Sequence, residues 1–458
     1  MSMRAIGGSP TTPTLGDHHE ESGSSGAGVT ANNDRVTVGM LGCGTVGTGV
    51  VRLLTDHADQ IAARVGIPIE LGPVAVRDTG RRRDVQIDGL TSDAHSVTTD
   101  PDVDIVVEVI GGIEPARSLI VEALESGKSV VTANKELVST HGEELMALAR
   151  GKGAHLEFEA AVAGGIPIIR PLRESLAGDR VRRVLGILNG TTNYVLTQMT
   201  DHGMVFAEAL AEAQRLGYAE PDPTADIEGD DAAAKTAILA SLAFDARVVA
   251  GDVYREGITR VTPSDIAFAR RMGYVIKLLA IADDDGERIG ARVHPCLIPS
   301  DHPLASVRDS FNAVFVEADA VDDLMFYGRG AGAMPTGSAV VGDIVAAARG
   351  LLAGEQAGTP AAHRDGSLRP FDELIAQYSV RLSVSDRPGV LAEIASVFGA
   401  QDVSIKSVWQ EGTGETAQLV FITHAARERD VQRTVADLRS LGSVRDITSV
   451  LRVEGGEV

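Results

Sequence analysis

One stretch concentrates the groups that could do chemistry. Gly217-Tyr218-Ala219-Glu220-Pro221-Asp222-Pro223 runs on through Asp226 and Asp231 to Lys235. Gly217 and the two prolines hold its first half in a fixed, non-helical course. Asp230 and Asp231 then open an apolar run that reads as a helix, with Lys235 one turn in. Residues four apart share a helix face, so Asp231 and Lys235 can pair. Alone, that pair is an ordinary salt bridge at an acidic helix start that complements the helix dipole. It does not explain why a proline-braced loop brings Glu220, Asp222 and Asp226 to the same place. Carboxylates suit the ammonium of a small zwitterion, and a lysine suits its hydroxyl or carbonyl oxygen.

A second cluster of chemistry lies upstream. Residues 35–41 read as a buried strand, followed by Gly42-Cys43-Gly44-Thr45-Val46-Gly47 and a helix through about Val65. A G-x-G-x-x-G that follows a strand and opens a helix is the dinucleotide fingerprint. Its glycines serve the turn, the approach to the pyrophosphate and helix–strand packing, and the helix start receives the phosphates. The next strand, 73–76, ends in Arg77-Asp78, with Arg81-Arg82-Arg83 close by. An acidic residue there favours NAD and a basic one NADP; this chain has both, and the lean is to NADP. The apolar run 104–110 suits a central parallel strand. It ends in Gly111-Gly112, so backbone can approach the nicotinamide side of a cofactor. A helix over 115–127 and a strand at 129–131 lead to Thr132-Ala133-Asn134-Lys135, which places Lys135 where such sheets bind ligands.

The elements that position these groups need several domains, since 458 residues exceed one ordinary domain. A hydrophobic share of 44% supplies real cores. The formal charge of -22 argues against nucleic acid and anionic membranes as partners. Two cysteines, Cys43 and Cys296, fit a reducing cytosol. No apolar run is read as a membrane span, and no secretory signal is read at the N-terminus. Residues 1–33 read as a disordered tail.

A glycine-loosened turn follows Glu159, and a strand at 184–188 ends in Asn189-Gly190-Thr191-Thr192-Asn193, which can cap the next helix. Helices are expected at 205–216, from Lys235 to about Phe244, and over 263–283, with strands at 290–298 and 311–318. A second glycine loop, including Gly332, opens a small-residue helix from Ser338 to Arg349 that returns to the nucleotide domain. After a linker the order is β-α-β-β-α-β, a ferredoxin-like module. The fold class is therefore α/β. A Rossmann-type domain at 34–160 is completed by helix 335–350. An α+β mixed-sheet substrate and dimerisation domain spans 161–334, and a linker at 351–373 leads to the module at 374–458.

The string from Gly217 to Lys235, with Thr-Ala-Asn-Lys after a strand, resembles homoserine dehydrogenase. Asp386-Arg387-Pro388-Gly389-Val390-Leu391 resembles the first turn of an ACT domain, a regulatory amino-acid sensor. The resemblance covers about residues 35–453. It implies interconversion of L-homoserine and L-aspartate 4-semialdehyde with NADP, NAD being possible. Lys235 would be the proton donor, Lys135 an electrostatic aid beside the nicotinamide, and Glu220, Asp226, Asp231, Gly217 and Thr191 the substrate pocket. Cofactor contacts would come from Gly42, Gly44, Thr45, Val46, Gly47, Arg77, Ile110, Gly111, Lys135 and Gly332. It also implies a structural monovalent cation, Na+, on Glu159, Val162, Gly164 and Ile166. The remaining implications are a homodimer or tetramer, a cytoplasmic location, and L-threonine as effector, held near residues 386–389 and Asp402. Rival readings are a phosphoglycerate-type dehydrogenase, which uses a catalytic histidine, and a sensor without catalysis; the retained lysine pair argues against both.

Overall fold

The computed structural model describes residues 34–355, 367–412 and 414–455. The proposed tail at 1–33 and the middle of the linker, 356–366, lie outside the described residues. The first domain is a six-stranded parallel sheet. Its spatial order is Leu90–Thr91, Ile69–Ala75, Val36–Leu41, Ile105–Glu108, Ser129–Thr132, Leu156–Glu157. Strand order reverses between Val36–Leu41 and Ile105–Glu108, which is where such sheets receive a nucleotide. Ile105, Val106, Val107 and Glu108 are all buried, as the continuous apolar run requires.

The helix expected to run unbroken to Val65 is two helices, Thr45–Asp56 and Ala58–Val65, divided where His57 leaves helical geometry. Against the first of them lies Ala333–Ala353. A Cβ added to Gly49 would collide with the Ala333 carbonyl, and one on Gly337 would lie 2.9 Å from the carbonyl carbon of Gly49. The small residues of this helix thus allow backbone-to-backbone contact with the nucleotide-binding helix. By length and apolar composition it meets the measure of a membrane span, contrary to the sequence reading. Asp343, buried on this helix and bonded to Arg170 outside it, suits a helix set in a protein core.

The second sheet corrects one expectation. The helix foreseen over 263–283 ends after Pro263–Arg271, and Tyr274–Asp284 is a strand. Gly273 at φ 78° turns the chain, and the strand pairs antiparallel along its whole length with Arg288–Pro299. Tertiary pairing outweighs the apolar pattern that reads as helix. The C-terminal module has its expected order: Ile375–Ser385, Val390–Ala400, Ile405–Gly412, Thr416–Thr423, Glu428–Ser440, Val444–Val453. Its sheet is continuous with that of the substrate domain, because Arg452 and Val453 pair in parallel with Cys296 and Leu297. Beyond the covalent linker, the module is therefore joined to the substrate domain by main-chain hydrogen bonds.

Candidate active site

The loop after Phe206–Arg215 begins with a helix stop that its sequence dictates. Gly217 sits at φ 78°, with its N–H on Gln214 O at 3.1 Å and the Tyr218 N–H on Ala213 O at 2.9 Å. That double bond is the Schellman pattern, which favours glycine at this position. Asp222 then caps the short helix Thr224–Ile227 through Thr224. Gly229, at φ 90°, starts the helix Asp230–Ala243.

Asp231 is the hub. Its Oδ2 accepts from Lys235 Nζ at 2.8 Å and from Asn189 Nδ2 at 2.9 Å. Its Oδ1 lies 3.1 Å from Lys135 Nζ. Burial pushes the Asp231 carboxyl up, but Lys235 and Lys135 outweigh burial and hold it at about 2. Burial likewise opposes the charge of Lys135, and Asp231 raises its pKa nonetheless. Lys235 also donates to Leu188 O at 2.7 Å. An ammonium has three donors, so two fixed bonds leave one for a ligand. The surrounding cavity, about 600 Å³, is lined by Lys135, Thr191, Gly217, Asp226, Asp231, Lys235 and Gly332 among others.

Some expected residues do other work. Thr191 Oγ1 donates to Tyr218 O at 2.6 Å or Asp226 Oδ2 at 3.0 Å, so its proton ties the loop together and is turned away from a ligand. Glu220 is exposed and outside the cavity lining, and its carbonyl accepts from Gln214. Asn189 escaped assignment in the sequence. Its Oδ1 caps Gly190–His202 through Thr192 N, while its Nδ2 bridges Asp226 at 2.6 Å and Asp231. An asparagine before a helix is legible as a cap; the second half of its amide is not.

A second cavity of about 500 Å³ lies at the switch point, lined by Gly42, Gly44, Arg77, Asp78, Arg81, Ile110 and Gly111 among others. A Cβ on Gly44 would meet nothing within 4 Å, while one on Gly47 would lie 2.8 Å from Gly42 O. The second glycine therefore keeps the approach open, and the third serves packing. Thr45 and Val46 open the helix outside this lining, and Gly332 and Lys135 belong to the other cavity. The amides of Ile110 and Gly111 are occupied: both donate to Glu108 Oε1, at 2.8 and 2.9 Å. Glu108 also accepts from Thr132 at 2.6 Å, so a buried carboxylate unremarked in the sequence joins the two turns beside the cavity.

The set expected to hold a cation fits poorly at its one charged member. The Glu159 carboxylate accepts from the amides of Ile168, Ile169 and Arg170, at 2.5, 2.7 and 3.0 Å, and faces the Arg170 guanidinium. It caps a helix start. Val162, Gly164 and Ile166 offer only main-chain oxygens.

A nucleotide crevice at the switch point, beside a cavity where a buried carboxylate holds two lysines, defines a nicotinamide-dependent oxidoreductase with a regulatory module attached. Residues 167–345 match the family described as homoserine dehydrogenase, 42–159 its NAD-binding domain, and 378–443 the ACT domain. The homoserine dehydrogenase of Corynebacterium glutamicum is 50% identical over 425 residues, spanning 92% of this chain and 96% of the relative. The crystal structure of a homoserine dehydrogenase from Thiobacillus denitrificans superposes with a TM-score of 0.87 at 41% identity, covering 92% of this chain and 98% of that one. A hyperthermophilic archaeal homoserine dehydrogenase in complex with NADPH matches at a TM-score of 0.58 and 27% identity, over 68% of this chain and 97% of that one. This chain belongs to the homoserine dehydrogenase family and carries an ACT domain.

Proposed function

We propose that the chain interconverts L-homoserine and L-aspartate 4-semialdehyde with NADP, under feedback control by L-threonine. The observation that carries the site assignment is the Asp231 carboxylate held between Lys235 and Lys135. Bound cofactor supplies or takes up the hydride, and the chain supplies position and charge. In the reducing direction, the remaining N–H of Lys235 donates a proton to the aldehyde oxygen as the alcohol forms. Lys135 stabilises the developing negative charge, and Asp231 orients both ammonium groups. Asp226, fixed by Asn189 and Thr191, and the exposed Glu220 receive the substrate ammonium. Main-chain oxygens of Val162, Gly164 and Ile166 remain the proposed Na+ ligands, without the Glu159 side chain. Free thiols at Cys43 and Cys296 suit a cytoplasmic enzyme. The exposed strand Ile405–Gly412, with Trp409 at 47% exposure, suits assembly into a dimer or tetramer. The direct test follows nicotinamide reduction with L-homoserine and each cofactor; no turnover with either would remove the assignment.

NADP is preferred because Asp78, the residue that would favour the ribose diol, caps Gly80 N at 2.9 Å. Arg83 is spent on the carbonyls of Asp78 and Arg81. Arg77 and Arg81 line the cavity without an ion-pair partner among the described residues. Arg77→Ala is expected to raise the KM for NADPH about tenfold, the scale of one charge-assisted bond, and that for NADH far less. Equal losses would assign Arg77 a structural role.

Glu220→Ala is expected to raise the KM for homoserine with kcat retained, since an ammonium anchor binds ground and transition states alike. An unchanged KM would leave Asp226 as the sole anchor. Removing the ACT domain by truncation is a poor test of threonine control. Glu454 pairs with Arg183 and buried Arg292 of the substrate domain, and its loss would leave them only Glu317 and Asp283 as acidic partners.

A further inference from the structure

The ACT domain reaches the active site through a short run of charged groups. Arg452 on its last strand forks onto Glu428 with both bonds at 2.9 Å, and Tyr378 donates to the same carboxylate at 2.8 Å. The third limb of Arg452 leaves the module: Nη1 donates to Glu256 Oε2 of the substrate domain at 2.9 Å. The next residues turn back onto the acidic loop. Ile258 N donates to Ile227 O at 2.9 Å, and a Cβ on Gly257 would lie 2.6 Å from the Glu228 Cα. On the other side of Glu256, Arg255 Nε lies 2.5 Å from Asp230 Oδ1. Asp230 immediately precedes Asp231, the hub of both lysines. Every step is a direct contact or one peptide unit.

The surroundings leave this run room to move. It passes along a cavity of about 760 Å³ between the ACT domain and the substrate domain, walled by Asp230, Arg255, Glu256, Arg439 and Arg452 among others. Over residues 444–451 the last ACT strand has a ladder partner on one side only, the other ladder beginning at Arg452. A coupler needs two arrangements of similar energy and contacts that differ between them. A charge run beside an open cavity meets that need better than the packed core does.

We propose that Glu256 and Arg255 are the coupling residues through which the ACT domain sets the position of Asp231, and hence of Lys235 and Lys135. Shifting Arg452 draws on Glu256 and moves the 255–258 turn, and that turn carries the Asp230 end of the catalytic helix. The proposal rests on the reading that the ACT domain carries an amino-acid effector, so its test has one readout that needs no effector. Glu256→Gln keeps the shape and removes the charge; Arg255→Gln cuts the other limb.

Hydrogen–deuterium exchange of the full chain, without effector, is expected to quicken about tenfold over 226–235 in Glu256→Gln while the ACT core is unchanged. Arg255→Gln should loosen the same residues. In a threonine titration, Glu256→Gln should bind threonine within about threefold of wild type yet lose the response of kcat, because coupling and binding are separate quantities. Unchanged exchange over 226–235 in both variants would overturn the proposal, as would wild-type inhibition in both. Quickened exchange in the variants, with a wild type whose kcat also ignores threonine, would leave the link standing and remove threonine as the effector.

Discussion

Lys235→Ala is expected to lose roughly 10²–10⁴-fold in kcat, the range of a positioned acid–base group. The geometry makes the loss specific. Lys235 Nζ is fixed by Leu188 O and Asp231 Oδ2, so its remaining donor has a defined direction into the cavity. The Asp231 carboxylate would still be neutralised by Lys135, and the methyl group of alanine suits the helix interior. The variant should therefore fold, bind cofactor with wild-type affinity and fail in proton transfer. Steady-state rates in both directions across pH, with a cofactor titration, check this. Wild-type turnover at any pH would remove Lys235 from the reaction.

Asp231→Asn is expected to damage both activity and stability. The carboxylate accepts from three donors, while an amide offers one accepting oxygen and presents two N–H groups instead. Either Lys235 or Lys135 would then face a donor. Removing one member of a buried charged group costs about 3–5 kcal/mol, with the lower end expected here because Lys135 is partly exposed. The pH dependence carries a definite sign. The folded carboxyl lies at about 2 against an ordinary 3.8, so Asp231 stabilises the fold fully above 3.8. That contribution, about 2 kcal/mol at roughly 1.4 kcal/mol per pKa unit, is lost as pH falls towards 2. In chemical denaturation over that range the gap between wild type and variant should narrow by about 2 kcal/mol towards the acid end. A constant gap would mean that the ionised Asp231 is not selectively stabilised by the fold.

The sequence made the lysine–aspartate pair legible because helical spacing fixes which side chains share a face, and it made the nucleotide turn legible because glycine positions have steric causes. It misdirected the second half of 263–283, where a run of apolar residues suits a buried strand as well as a helix and only pairing with Arg288–Pro299 decides. Carboxylates were the harder class. Glu159 reads as a cation ligand and Glu108 drew no reading, yet both are bonded to main-chain amides brought close by the fold. Asn189 was visible as a cap, but its contact with Asp226 and Asp231 spans 37 and 42 residues, beyond any local pattern. The joining of the ACT sheet to the substrate sheet rests on two paired residues at the end of a strand, which no periodicity announces.

The most direct measurement is a single turnover. Enzyme preloaded with NADPH is mixed rapidly with L-aspartate 4-semialdehyde, and loss of the reduced nicotinamide is followed in wild type and Lys235→Ala. Hydride transfer to an aldehyde without a proton donor should slow at least about 10²-fold, with NADPH affinity unchanged. Equal single-turnover rates would contradict the assignment of Lys235 as the proton donor held by Asp231.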